Sequence, residues 1–367
     1  MLIGVGVVGY LFYQQFDPEE FYRIDWTATT LLWLGVSLLL LVVRHLAYAY
    51  RLYLLTEHEF SYLKCIQLIF IWEFSSAVSP TAVGGSAVAF FVLSQERLSA
   101  GRTATLVLYT VVLDSAFFVL TLPVLYLLMG PELIRPGAEG FSDLRGWGLT
   151  FVIGYVAMAS YGLLIFWGLF VSPNTIKRFF FSLAGWPFIK RWGDKLRTTG
   201  RDLVAASKHV RGKPLRWHLG AFGSTAVAWT FRFLLLSALF VAFTDLGADV
   251  ARQLLLYGRL ESMFVIIAFS PTPGGAGFVE TLFGNFLSDF VDGSGTRALL
   301  IATIWRAFTY YTYLLAGAII VPAWFRGVIA ARRQRARDQV KDAPGGDSND
   351  SERGDSPPTL HRGEVMA

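Results

Sequence analysis

The sequence predicts an all-α polytopic membrane protein, built as two inverted repeats that each carry a re-entrant, Pro/Gly-broken helical hairpin. Three observations carry that expectation. Of 367 residues, 54% are hydrophobic and only 16% charged, with a mean hydropathy of +0.49; an ordinary soluble domain carries about 25% charge. Apolar stretches recur at lengths that match a bilayer. Lys and Arg divide sharply between alternate connecting segments.

A hydrocarbon core of ~30 Å calls for about 20 apolar residues per helix. Candidate spans fall near 1–14, 28–48, 104–129, 148–172, 218–243 and 298–321. The first lacks a charged n-region and a small-residue cleavage site, so it is expected to be part of a helix rather than a cleaved signal. Two further stretches, 62–93 and 253–287, are interrupted at Ser79–Ser86 and at Ser270–Gly277. Each half holds roughly 13–17 residues, short of a full crossing. Such breaks are tolerated in a membrane only where they are buried or line a wet cavity. Pro80, Gly84, Gly85, Pro271, Pro273, Gly274, Gly275 and Gly277 are the expected turn residues.

Charge then sets the topology. Segments 49–64, 94–103, 173–217 and 326–341 hold 21 Lys/Arg against 6 Asp/Glu. Segments 15–28, 131–147, 244–252 and 288–297 hold 5 against 11. Basic loops stay cytoplasmic, which places the protein in the cytoplasmic (inner) membrane with both termini inside. Because 49–64 and 94–103 share a side, the broken stretch between them must return to the face it left. The same holds for 253–287 from the opposite face.

The two Ser-Pro-Thr clusters stand 191 positions apart and the Gly-Gly pairs 190 apart. Unit A (1–129) and unit B (148–321) each read helix, helix, hairpin, helix, beginning on opposite sides. Inverted repeats whose broken helices meet near the midplane are the architecture of alternating-access transporters. In the alternative reading, the hairpins are packing devices.

Pro273-Gly274-Gly275-Ala276-Gly277-Phe278-Val279-Glu280, followed by Trp305-Arg306-Ala307-Phe308-Thr309-Tyr310-Tyr311, resembles the lysylphosphatidylglycerol synthase transmembrane (flippase-like) family. Thr81–Gly85, with a span beginning at Arg102, resembles that family's first-half motif. Ser86 and Ala89 depart from it, standing where many members carry an acid and an Arg. The resemblance implies an integral membrane protein that translocates or modifies lipids. Name-giving members append a cytosolic domain that transfers lysine from tRNA to phosphatidylglycerol, and other relatives append a glycosyltransferase. Only residues 326–367 follow the membrane domain (1–325) here, so neither transfer is expected. That tail, basic and then rich in Gly, Ser, Asp and Pro, is expected to be disordered and cytoplasmic.

Eight charges fall inside apolar segments: Arg44, Glu73, Asp114, Arg232, Arg259, Glu261, Glu280 and Arg306. A charge near the bilayer centre costs at least ~2.5–3.5 kcal/mol, so each calls for a partner or water. Arg44 is expected near the inner end of its helix, where it can snorkel. Arg259 and Glu261, two apart, point to different helix faces. Arg306 leads the candidates, with Tyr310 one turn on and Tyr313 two turns on. A guanidinium grips phosphate through a bidentate fork, and phenols add neutral donors. The structural alternative pairs Arg306 with Glu280 or Asp114. Glu280, just after the second Pro-Gly-Gly turn, is expected to meet a proton, a cationic headgroup or Arg306. Arg232, with Trp229 one turn back, is a second phosphate candidate. Glu73 and Asp114 are expected countercharges, and both hairpin tips are expected to meet these groups near the midplane.

Segment 173–217 holds 11 Lys/Arg against 2 Asp/Glu, interleaved with aromatics. That mix suits an amphipathic segment lying on an anionic leaflet; membrane flanks on both sides argue against nucleic acid. One cysteine and five scattered histidines give no disulfide framework and no metal-ligand spacing. No metal, cofactor or catalytic constellation is expected. The leading functional expectation is translocation of a phosphate-bearing lipid between leaflets. The alternatives are a non-catalytic membrane partner of a separate synthase or glycosyltransferase, and a membrane-embedded headgroup transferase.

Overall fold

The computed structural model describes residues 18–22, 26–78, 89–96, 98–134, 137, 146–185, 193–247, 249–270 and 278–341. These residues are predominantly helical, with no strand among them. The principal helices are α1 (Ala28–Leu55), α2 (Tyr62–Val78), α3 (Ala100–Met129) and α4 (Trp147–Phe166, continued by the π-helical turn Trp167–Val171). They continue as α5 (Pro173–Ala184), α6 (Gly193–Arg211), α7 (Leu215–Phe243), α8 (Val250–Ile267) and α9 (Phe278–Phe286). Last come α10 (Gly295–Arg306, continued by the π-helical turn Ala307–Tyr311) and α11 (Thr312–Lys341).

Five helical runs are long and apolar enough to cross a membrane: Ala28–Leu55, Ala100–Met129, Trp147–Val171, Leu215–Phe243 and Gly295–Ala330. They coincide with five of the six expected spans; 1–14 lies outside the described residues. Leu127 is 83% exposed and Ile319 76%. Faces of this kind find a favourable solvent only in lipid. The protein is therefore a multi-pass membrane protein.

Local chemistry sets the helix starts. The side chains of Thr27, Ser99, Asp249 and Ser294 each accept a first-turn backbone N–H, at 3.2, 3.3, 2.9 and 3.0 Å, as N-caps do. α3 ends at Gly130, whose φ of +73° is open to glycine without a Cβ clash. Inside α3, Pro123 has no N–H to give the carbonyl of Val119. The Tyr155 hydroxyl of α4 donates to that carbonyl at 3.2 Å, restoring the bond that lipid could not supply.

Both broken stretches have helical arms: α2 with residues 89–95, and α8 with α9. The turns, with Pro80, Gly84, Gly85, Pro271, Pro273, Gly274, Gly275 and Gly277, lie outside the described residues. By internal packing the chain divides into residues 1–321 and 322–367. Within the first unit, α1 and α7 pack along much of their length. Ala49, Ala221 and Thr225 are fully buried, and Gly220 lies against Leu54; small residues let membrane helices approach closely. An aromatic core of Phe118, Trp229, Phe233, Phe264, Phe283 and Trp305 fills the space between α3, α7, α8, α9 and α10.

Two boundaries differ from expectation. α1 was expected to end near 48 but runs to Leu55. Its polar residues 44–51 lower the hydropathy without breaking the helix, because they share one face. The basic stretch from Arg326 continues α11 to Lys341, since Ala, Arg and Gln are strong helix formers. The basic segment 173–217 contains α5, α6 and the start of α7, with α5 packed on α6.

Candidate functional site

Arg44, Tyr48 and Arg51 recur at i, i+4 and i+7 along α1 and are all buried. Arg44 lies about 24 Å of helix rise from the start of α1, near its middle. It does not snorkel: its Nη2 donates to Glu73 Oε1 of α2 at 2.7 Å, and its Nη1 to the Tyr313 hydroxyl of α11 at 3.2 Å. The Tyr313 hydroxyl is also 3.0 Å from His45 Nδ1, and His45 Nε2 is 3.2 Å from the Ile66 carbonyl. A carbonyl only accepts, so Nε2 carries the hydrogen and Nδ1 accepts from tyrosine. Arg44, Tyr313, His45 and Ile66 thus form one directional hydrogen-bond chain.

Arg51, counted in the sequence as a loop charge, is buried as well. Its Nη1 donates to Asp114 Oδ1 of α3 at 2.6 Å and to Thr225 Oγ1 of α7 at 3.2 Å. The same Asp114 oxygen accepts the Trp229 indole N–H at 3.0 Å. The Tyr48 ring lies between the two guanidinium groups, 5.2 Å from Arg44 and 4.7 Å from Arg51, in cation–π range.

Arg232 completes the cluster from α7. Its guanidinium stands 5.1 Å from the Trp229 ring and 4.7 Å from Phe264 and interacts electrostatically with Arg44 and Glu73. Among the described residues no carboxylate pairs with it. Two guanidinium Nε groups, of Arg44 and Arg232, are buried without a hydrogen-bond partner among the described residues. Among the described side chains the cluster therefore holds three guanidinium groups against two carboxylates, one positive charge in excess. The Glu73 and Asp114 side chains remain 22% and 32% exposed, so it is not sealed. Free N–H groups on a surplus cation within an aromatic wall can receive an anion such as a phosphate monoester or diester.

Three expected residues, Glu73, Asp114 and Arg232, are thus brought together as one cation and two countercharges. Arg306 and Tyr310 form a second pair, with the guanidinium 5.6 Å from the phenol ring, across the π-helical turn that leads to Tyr313. Such turns recur at functional sites. Asp114 is taken by Arg51 and Trp229, so the expected Arg306–Asp114 alternative is not formed. Only the backbone of Glu280 is described, so its expected pairing lies outside the described side chains. Arg259 and Glu261 do point to different faces. Arg259 binds both Asp289 oxygens at 2.5 and 2.6 Å, whereas Glu261 meets Thr121. The sequence reading missed Tyr48, His45 and Arg51; their helical spacing with Arg44 was the available signal.

A cavity of about 480 Å³ opens elsewhere, between the end of α1, the start of α3 and α6, lined by Glu57, Arg102, Asp202 and His209 among others. Glu57 accepts from Lys213 at 2.5 Å and lies 2.6 Å from His209 Nε2, while Arg102 binds Glu59 at 2.5 Å. Partial burial raises the Glu57 carboxyl, but its bonds to Lys213 and His209 outweigh that and hold it below the usual carboxylate value. Glu57, Glu59, Arg102 and Lys213 are paired there, whereas Arg232 has no carboxylate partner among the described residues.

Residues 1–317 match the family described as the lysylphosphatidylglycerol synthase TM region. A UPF0104 membrane protein of Archaeoglobus fulgidus is 27% identical over 333 residues, spanning 88% of this chain and 94% of that relative. No solved structure is significantly similar.

Proposed function

The chain belongs to the lysylphosphatidylglycerol synthase TM-region family, and from that premise we propose that it moves a phosphate-bearing lipid between the leaflets of the cytoplasmic membrane. The observation that carries this reading is the surplus guanidinium of Arg232, beside two acid–base pairs that already satisfy each other. A lipid phosphate brings one negative charge, which the cluster lacks. Arg232 and the free Arg44 Nε would hold it, while Trp229 and Phe264 keep Arg232 in place. Acyl chains stay in the bilayer, outside the polar path. Arg306 and Tyr310 form a second contact for the headgroup as it passes. In this reading the two units are inverted and both termini are cytoplasmic.

A membrane partner of a separate lipid-modifying enzyme is the second reading. It is favoured by the basic α5–α6 pair, on which Phe179 is 61% exposed beside Arg178. These helices equally suit contact with an anionic leaflet.

Reconstitution separates the readings. Vesicles of phosphatidylethanolamine and phosphatidylglycerol carry fluorescent phosphatidylglycerol in both leaflets, and dithionite quenches from outside. Transport exposes the inner-leaflet fluorescence to quenching. Protection equal to that of protein-free vesicles contradicts it and leaves the partner reading.

A further inference from the structure

Glu261 is fully buried on α8, and the site above does not use it. Its Oε1 contacts Thr121 Oγ1 of α3, and the same hydroxyl lies 2.7 Å from the Phe117 carbonyl. Its Oε2 is buried with no hydrogen-bond partner among the described residues. No described Lys, Arg or His forms an ion pair with it; Arg259, two residues earlier, turns to Asp289.

None of the described titratable groups around it forms an ion pair with it. Tyr155 of α4 and Tyr257 of α8 interact electrostatically with Glu261, but their hydroxyls donate to Val119 O and Thr230 Oγ1. On the other packed elements, Asp114 of α3 is held by Arg51, Arg232 of α7 stands on Trp229 and Phe264, and Glu132 gives its backbone carbonyl to Arg259. The Glu280 side chain of α9 lies outside the described residues.

One threonine hydrogen is shared between two acceptors, Glu261 Oε1 and the Phe117 carbonyl. A threonine hydroxyl carries one hydrogen, and the Phe117 carbonyl can only accept. When Thr121 donates to Phe117, its contact with Glu261 is filled by an O–H on the carboxyl. An ionised carboxylate in this dry position would be a buried charge without a cation, which neutralises instead.

The acid also adjoins the phosphate cluster. Phe264, which underlies Arg232 at 4.7 Å, follows Glu261 by one turn of α8, about 4.5 Å of rise. On α3, Thr121 follows Asp114 by two turns. We infer that Glu261 is a proton-binding site that couples proton movement to lipid movement, an inference that rests on the transport reading above. As α8 shifts against α3 to pass a headgroup, the Thr121 contact opens and Glu261 meets water. Its O–H bond breaks heterolytically, the proton goes to water, and the carboxylate takes a proton back when the site closes.

Two measurements on the full-length protein test this. In infrared pH-difference spectra, the wild type should show a carboxylic-acid C=O band at neutral pH that disappears in Glu261→Gln and shifts in Thr121→Val. No such loss in Glu261→Gln overturns the proton site. In the phosphatidylethanolamine/phosphatidylglycerol vesicles, an imposed pH gradient should bias fluorescent phosphatidylglycerol toward one leaflet for the wild type, with that bias lost in Glu261→Gln. Equal bias in both proteins, or none in either while exchange proceeds, overturns the coupling. A wild type that exchanges no lipid overturns the transport reading and the coupling with it. The infrared result, which needs no lipid movement, still decides whether Glu261 holds a proton.

Discussion

Arg51 and Asp114 meet at 2.6 Å across α1 and α3, and the Asp114 oxygen that takes the guanidinium also takes the Trp229 indole. One carboxylate therefore ties three helices together and fixes the ring on which Arg232 stands. The pair is structural in its own right, and it positions the surplus cation.

Removing one partner of a buried pair leaves the other charge uncompensated, at a cost of about 3–5 kcal/mol. Asp114→Asn should therefore lower the melting temperature in detergent markedly. The double variant Arg51→Met/Asp114→Asn should recover part of the loss, since no charge is stranded. A double variant that melts at or below the sum of the single losses would count against the pairing.

Tyr313→Phe removes the hydroxyl between Arg44 and His45 and leaves two buried groups short of a partner. Each buried unsatisfied group costs about 1–3 kcal/mol. Thermal unfolding should register a loss of about 2–6 kcal/mol for the two groups together, with Tyr310→Phe, on a half-buried phenol, costing less. Equal melting of Tyr313→Phe and wild type would break the chain from Arg44 to Ile66.

The spans were legible because lipid-facing side chains leave a strong hydropathy signal. The site was less so. Arg44, His45, Tyr48 and Arg51 read as the end of a helix and the start of a loop, although their spacing marks one helical face. Arg51 consequently entered the topology count, where its removal leaves 20 of the 21 basic residues on the inside set and the same orientation. Arg232 and Asp114 were recognised as costly charges, but sequence spacing could not show that Asp114 belongs to Arg51. Thr121 and Glu261 lie 140 positions apart, and no local pattern joins them.

Close approach of α3 and α6 is the next test. A Cβ built at Gly101 would lie 2.2 Å from Asp202 Cβ and 2.5 Å from its backbone carbon, a clash that backbone cannot relieve cheaply. Gly101→Ala should destabilise the protein, whereas Gly223→Ala, with nothing within 4 Å, should be neutral or mildly stabilising through helix propensity. The reverse order of melting temperatures would contradict this packing.

Acid should weaken the Glu57 tie between the α1–α2 loop and Lys213. The folded carboxyl is held below its ordinary value of 4.5, so it contributes stability that is fully present above that pH. That contribution is lost as pH falls through the lower folded value. The melting-temperature difference between wild type and Lys213→Met should therefore be constant near neutrality and shrink below about pH 4.5. A difference that grows on acidification would reverse the sign.

The most direct test of lipid handling is the leaflet-exchange rate of Arg232→Gln in vesicles of phosphatidylethanolamine and phosphatidylglycerol. This change removes the surplus charge and leaves Arg44–Glu73 and Arg51–Asp114 intact. A charge-assisted contact is worth about 1.5–3 kcal/mol, so exchange of fluorescent phosphatidylglycerol should slow roughly ten- to a hundredfold while the melting temperature holds. Arg232→Lys should recover only part of the rate, because an ammonium cannot offer the fork. Exchange by Arg232→Gln at the wild-type rate would contradict a phosphate held at Arg232.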